Sequence, residues 1–411
     1  MSFEAMKGLV SGREAELVRN VFELGAIPGI NPRMGGTGEA ARVAWLKSYF
    51  DAHKISYQEY DVEDRAVLEG KRTSLIVRYE GSEDREKTLW FMTHMDTVAP
   101  GDRNDWNTDL FQPTQIGDKI YGLGVEDNGQ AVVCMMQACV MMKELGMVPK
   151  CNVAFLFAAD EETGSQYGLH ALMDVPGLFS DRDEAIVPDA GSYNGAFIEV
   201  AEKSQVWLVF TVLGKQAHGS MPHLGTNAGY IGAKMAVEIV DTLRAEYAYK
   251  DDLFDPPYST FEYTQKFSNV ESPNVLPGRD VFAMDLRILP QFTVESVLER
   301  INRIISKYEY EYKVRISYEI TQRADAAPVT SPDSRVAVEL KNVLTASGVD
   351  AFCGGIGGGT CGAILRKKNI STVVWSTLDE LAHQPNEYTI IPNLVQDTAV
   401  FLTVIEKYCE G

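Results

Sequence analysis

Asn152-Val153-Ala154-Phe155-Leu156-Phe157-Ala158-Ala159-Asp160-Glu161-Glu162-Thr163-Gly164 is an apolar run that ends abruptly in three acids. Residues 152–158 read as a buried strand. Three successive carboxylates straight after a core strand are costly unless cations or solvent compensate them. Upstream, Ser74–Tyr79 and Thr88–Met92 also read as strands, and Asn128–Leu145 reads as a long buried helix. Residues 14–29 and 38–54 have helical spacing, the second through Ala41, Val43, Ala44, Leu46 and Phe50. A turn rich in Gly, Pro and Asn separates these two helices. Strands alternating with helices at this spacing predict an α/β fold, a central sheet with helices on its faces.

The pattern changes after Glu202. Val206–Leu213 alternates like a half-exposed strand, and 227–248 reads as a helix. Ser259–Val270 and Val281–Leu289 follow as strands, Val294–Tyr308 as a helix and Arg315–Ile320 as a strand. Four strands and two helices describe a small α+β module of the ferredoxin-like kind. From Ser334 the α/β pattern returns, with a helix, a glycine-rich turn, a strand at Thr372–Trp375 and a last helix over Leu394–Tyr408. The expected organisation is a split domain with a central mixed sheet, residues 1–202 and 322–411, interrupted by an inserted module over 203–321.

Composition excludes several function classes. Against 58 Asp+Glu stand 38 Lys+Arg, a formal net charge of −20 over 411 residues, so nucleic acid and anionic membranes are not expected partners. No apolar run approaches the ~18 residues of a membrane span. Six scattered cysteines without a C-x-x-C pair, and a start without the blocks of a signal peptide, predict reduced thiols and a cytoplasmic protein.

Polar residues then cluster at strand ends. His94 closes Phe91-Met92-Thr93-His94-Met95-Asp96, and on a strand His94 and Asp96 share a face. Taken alone, His94 reads better as a satisfied strand-end histidine than as a ligand. Glu126 and Asp127 form an acidic pair just before the long helix. Asp189 follows Ile186-Val187-Pro188, and His383 sits in a Pro/Asn loop beyond Trp375. In open α/β sheets, ligands bind outside the carboxyl ends of strands. His and carboxylate ligands without thiolates suit zinc, with cobalt or manganese as substitutes.

These motifs resemble the di-zinc aminoacylase and carboxypeptidase superfamily, which includes glutamate carboxypeptidase, succinyl-diaminopimelate desuccinylase and acetylornithine deacetylase. Carrying the resemblance are Thr93-His94-Met95-Asp96-Thr97-Val98, Gly122-Leu123-Gly124-Val125-Glu126-Asp127-Asn128-Gly129 and Asp160-Glu161-Glu162-Thr163-Gly164. Asp189, Ala217-His218-Gly219-Ser220, Asn274-Val275-Leu276-Pro277, Asp285-Leu286-Arg287 and His383 follow in the family's order. The resemblance implies two zinc ions per chain. His94 and Asp189 would hold one, Glu162 and His383 the other, and Asp127 would bridge them ahead of a cis Asp127–Asn128 bond. It further implies that Asp96 orients His94 and that Glu161 is the general base and acid for a metal-activated water. The inserted module would be a lid and dimerisation domain, with His218 supporting the oxyanion, and the protein a homodimer.

Asn274 and Arg287 resemble positions that grip a substrate carboxylate, although Arg287 fits a strand ion pair equally well. Gly359 and Thr360 belong to a glycine-rich loop suited to carboxylate binding, in which Cys361 stands where relatives commonly carry aspartate. The implied substrate is a small peptide or N-acyl amino acid cleaved at its amide. The approach Asp105–Pro113 looks more like the desuccinylase, deacetylase and carboxypeptidase branch than the tripeptidases. The rival readings are a non-catalytic small-molecule-binding protein on this fold and a cysteine-dependent hydrolase using Cys361.

Overall fold

The acid-tipped run forms the strand Cys151–Ala158, buried at every position inside an eight-stranded sheet. The structure, a computed structural model, describes residues 1–410, with side chains as far as Cys409. From edge to edge the sheet runs Gln58–Glu63, Lys71–Tyr79, Cys151–Ala158, Asp84–His94, Glu184–Val187, Ser371–Val374, Phe197–Glu202 and Phe352–Ile356. Asp84–His94 pairs in parallel with both Cys151–Ala158 and Glu184–Val187, and Ser371–Val374 pairs in parallel with Glu184–Val187. Lys71–Tyr79 on Cys151–Ala158 and Phe197–Glu202 on Ser371–Val374 are antiparallel. The sheet is therefore mixed, and its parallel centre sends four carboxyl ends to one rim, where α/β sheets collect ligands.

Covering this centre requires helices without a polar side. Gly129–Glu144 is buried continuously from Gly129 to Met142, because it packs on the strands Asp84–His94 and Cys151–Ala158 and against the last helix, Ile391–Glu410. The two N-terminal helices with the expected spacing are Glu14–Gly25 and Ala40–Ala52. One expectation is corrected. Residues 352–356, at the start of the segment read as a glycine-rich turn, form an edge strand. Gly354 and Gly355 mask its pattern, and the ring of Phe254 lies where a Gly355 side chain would stand.

The chain divides into two compact units. One comprises Met1–Val200, Thr330–Cys353 and the chain from Thr360; the other comprises Ala201–Val329 with Gly354–Gly359. In the second, an antiparallel sheet runs in the order Thr260–Lys266, Arg279–Ile288, Ser204–Leu213, Arg315–Ala324. With the helices Ala228–Glu246 and Val294–Tyr312 this gives the order β-α-β-β-α-β, as the alternating pattern predicts. Val206, Leu208, Phe210 and Val212 face its core at period two, and Val294, Val297, Ile301, Ile304, Ile305 and Tyr308 meet them at helical period. Thr293 starts that helix by accepting the Ser296 N–H.

One buried acid ties the last helix to the sheet. Asp397 Oδ2 accepts from the Thr377 N–H (3.0 Å), Ser376 Oγ (2.9 Å) and Gln130 Nε2 (3.0 Å), while its buried Oδ1 has no partner among the described residues. Burial pushes this carboxyl from 3.8 up to about 6 in spite of those donors. The folded protein thus keeps the proton to higher pH than the unfolded chain, so stability from this group falls as pH rises from 3.8 through about 6. Asp397→Asn removes that dependence. Its stability relative to wild type, read by chemical denaturation, should rise by about 2–3 kcal/mol between pH 4 and 7. A difference independent of pH would contradict this.

Candidate metal centre

His94, Asp96, Asp127, Glu161, Glu162, Asp189 and His383 all belong to the first unit. His94 ends the strand Asp84–His94, and its Nδ1 lies 3.0 Å from the Asp96 carbonyl. Since a carbonyl only accepts, Nδ1 carries a proton, and in the neutral ring Nε2 presents its lone pair. That Nε2 faces Asp127 Oδ1 at 3.0 Å and Asp189 Oδ1 at 3.2 Å. On the other side, His383 Nε2 stands 3.0 Å from Glu162 Oε2 and 3.4 Å from Asp127 Oδ2. Asp127 therefore offers one carboxylate oxygen to each imidazole.

Local structure explains these positions. Gly124, at φ +71°, makes a turn that a side chain would drive into Thr97, and the Asp127–Asn128 peptide is cis. Asn128 Nδ2 donates to the Pro188 carbonyl (2.8 Å) and to Asp189 Oδ1 (3.0 Å), fixing Asp189 against Asp127. Glu161 and Glu162 open a short 3-10 turn after Asp160, whose φ of +60° breaks the strand direction. Asp160 is held in that conformation by Asn31 Nδ2 (3.0 Å), Thr163 Oγ1 (2.7 Å) and the Tyr167 N–H (2.9 Å). Asp96 serves the same turn, with Oδ1 accepting from the Glu161 N–H at 2.9 Å and Oδ2 from the Glu162 N–H at 3.3 Å. Its carboxylate lies 3.6 Å from His94 Nδ1, so the ring's hydrogen bond goes to the Asp96 carbonyl instead.

The donor set fits divalent cations. His94, Asp127 and Glu162 bring ligand atoms within 4.8 Å of one another, and so do His94, Glu161 and Asp189. Glu162 Oε1 is buried with no hydrogen-bond partner among the described residues, which a bound ion would supply. Burial opposes a charged His94, yet Asp127, Asp189 and Asp96 outweigh it and raise the imidazole well above its ordinary value. Asp127 and Glu162 lift His383 up to about 10. Burial and the neighbouring Asp189 push Glu161 well above the carboxylate range. Carboxylates crowded to this degree answer to positive charge.

Residues of the second unit form their own local patch. His218 pairs with Val275 in a two-residue antiparallel ladder, beside Asn274, whose carbonyl accepts the Gly219 N–H at 2.6 Å. The Ser220 N–H donates to Nδ1 of the exposed His218 at 3.1 Å, so Nδ1 accepts and the ring N–H is on Nε2. The Arg287 guanidinium is committed to Asp285 at 2.6 and 2.9 Å and to the Gly357 carbonyl at 2.7 Å. Gly359 lies in the same unit, and Thr360, in the first, accepts the Gly362 N–H at 3.2 Å. Cys361 packs with Leu365, Ile370 and Val374 in an apolar cluster, unlike the exposed, electropositive setting of a reactive thiol.

Sequence reasoning missed several supporting groups. Glu387 accepts the backbone N–H groups of Gly124, Glu126 and Asp127, and Glu126 accepts those of Asp379 and Leu381. Arg72 pairs with Glu39 at 2.6 Å, both buried, and reaches Asp160 at 3.4 Å. Only Glu126 left a signal, as the acidic neighbour of Asp127.

Comparison with known proteins agrees with this geometry. Residues 90–407 match the model of peptidase family M20/M25/M40. An uncharacterised metallohydrolase of Methanocaldococcus jannaschii is 35% identical over 413 residues, 95% of this chain and 99% of the relative. A succinyl-diaminopimelate desuccinylase of Polaromonas naphthalenivorans is 24% identical over 354 residues, 85% of each chain. Aminopeptidase PepT from Bacillus cereus superposes with a TM-score of 0.75 at 18% identity, over 96% of this chain and 98% of its own. An M20 family metallo-carboxypeptidase from Sulfolobus solfataricus gives 0.69 at 17% identity, covering 96% and 100%, so the fold is shared. The long match and the His–carboxylate cluster together place this chain in peptidase family M20/M25/M40, as a metal-dependent hydrolase.

Proposed function

We propose that the protein is a two-metal amidohydrolase that cleaves an N-acyl amino acid or a small peptide. The observation that carries this is the Asp127 carboxylate, with one oxygen toward His94 and the other toward His383. His94, Asp127 and Asp189 would hold one ion, and Asp127, Glu162 and His383 the other. Zinc suits these ligands best, with cobalt or manganese as substitutes. When bound, a pair of such ions lowers the pKa of a water and polarises the scissile carbonyl.

Glu161 is the proton carrier. Its carboxylate has no hydrogen-bond partner among the described residues, and burial with the neighbouring Asp189 raises its pKa, which favours a group that takes a proton and hands it on. It removes a proton from the attacking water and passes it to the amide nitrogen. The carbon gains the water oxygen and the C–N bond breaks. Glu162 is the ligand of the pair because it faces His383 and keeps a buried oxygen without a partner.

His218, with its Nε2–H exposed, donates to the carbonyl oxygen as negative charge develops there. His218→Ala should lower kcat by about 10²–10³ with metal content unchanged. Loss of metal instead would contradict the assignment. Asn274, Gly359 and Thr360 supply contacts to a substrate carboxylate, whereas Arg287 acts by bracing the glycine loop. The desuccinylase relatives support a deacylase over a peptidase. Assaying the metal-loaded protein on N-succinyl and N-acetyl amino acids beside dipeptides tests this; turnover of none of them would refute it. A homodimer formed through the second unit is supported by Tyr230, Val237 and Tyr263, exposed on a helix and an edge strand. Light scattering should give the mass of a dimer.

A further inference from the structure

Two glutamates outside the proposed ligand set fasten the two ligand-bearing loops to each other. Glu387, four residues beyond His383, sends its carboxylate into the loop that carries Asp127. Its Oε1 accepts from the N–H groups of Glu126 (2.7 Å) and Asp127 (3.0 Å), and its Oε2 from Gly124 (2.8 Å). Glu126, adjacent to Asp127, makes the opposite connection. Its Oε1 accepts from the Asp379 N–H at 2.8 Å and its Oε2 from the Leu381 N–H at 2.6 Å. Each glutamate belongs to one loop and holds the other. A backbone bond, Gly122 N–H to the Glu387 carbonyl at 3.2 Å, runs alongside.

The loop of His383 is also tied by Asn386 to Asp105 and Asn107, but those bonds lie beyond His383 in the chain. The His383 side chain is 58% exposed, its backbone sits at φ +64°, and its polar partners are Glu162 and Asp127. With the ring more than half exposed, its placement depends on its loop, which Glu126 grips at residues 379–381. Both glutamates are themselves buried, Glu126 at 4% and Glu387 at 2% exposure. Desolvating two carboxylates is costly, and five backbone N–H donors recover part of that cost.

We propose that Glu126 and Glu387 are reciprocal positioning residues of the metal centre. Glu126 sets His383, and with it the ion that Asp127, Glu162 and His383 would hold; Glu387 sets Asp127, which would serve both ions. This rests on the two-metal reading above. Replacing Glu126 by Gln puts an NH2 group against a backbone N–H, so one bond is lost and two donors confront each other.

The test is calorimetric titration of the metal-free protein with cobalt(II), followed also by its visible absorption, for wild type, Glu126→Gln, Glu387→Gln and a His383→Ala reference. Wild type should take up two equivalents. Glu126→Gln should keep the first and weaken the second at least tenfold, reproducing His383→Ala, while Glu387→Gln should weaken both. If wild type binds two equivalents and Glu126→Gln titrates identically, the positioning role is overturned and the two-metal reading stands. If wild type itself binds fewer than two, that reading fails. Loss of both sites in Glu126→Gln, together with a lowered melting temperature, marks a general folding defect and overturns the site-selective assignment.

Discussion

Glu161→Gln is expected to lower turnover by about a thousandfold, within the range that general acid–base catalysis supplies, while metal uptake stays at the wild-type level. The two effects separate because Glu161 and Glu162, although adjacent, face different partners. Glu162 meets His383 at 3.0 Å, whereas the Glu161 carboxylate has no hydrogen bond among the described residues. The amide keeps the shape and the backbone bond from the Glu161 N–H to Asp96, so the acid turn should not move. What disappears is the capacity to take a proton from water and return it to the leaving nitrogen. Rate measurement together with metal analysis of the same preparation checks this. A variant that turns over at the wild-type rate, or one that loses its metal, would show that Glu161 has another task.

Asp127→Ala is expected to have the opposite signature. Both imidazoles lose the carboxylate they share, so affinity for both ions should fall by well over 100-fold, beyond what loss of a supporting group costs. Activity should vanish with it. Metal also stabilises the folded state by mass action, so the rise in melting temperature on adding zinc should be lost in the variant. Thermal unfolding with and without zinc reads this directly. An undiminished zinc-dependent shift would remove Asp127 from the centre.

Why the ligands were legible and their supports were not follows from where each sits. Asp160–Glu162 follow an apolar strand, where charge is anomalous; His94 ends a strand of the same parallel centre, and Asp189 and His383 come after two others. Such positions stand out against their apolar neighbours. Glu387 and Asn31 act on groups more than 60 residues away in the chain, Asn31 by donating to both Asp96 and Asp160. No local period records a partner at that separation. The shared strand face places the Asp96 carboxylate 3.6 Å from His94 Nδ1, but nothing local records that it also accepts the Glu161 and Glu162 N–H groups. The edge strand Phe352–Ile356 was hidden for a different reason, since its glycines carry no side-chain alternation.

Stepwise return of zinc to the chelator-treated protein, with metal content and amide hydrolysis followed together, tests the two-metal centre most directly. Activity should be absent without metal and should reach its plateau as the second equivalent per chain is bound. Full hydrolysis in excess chelator, or a plateau completed by a single equivalent, would contradict it.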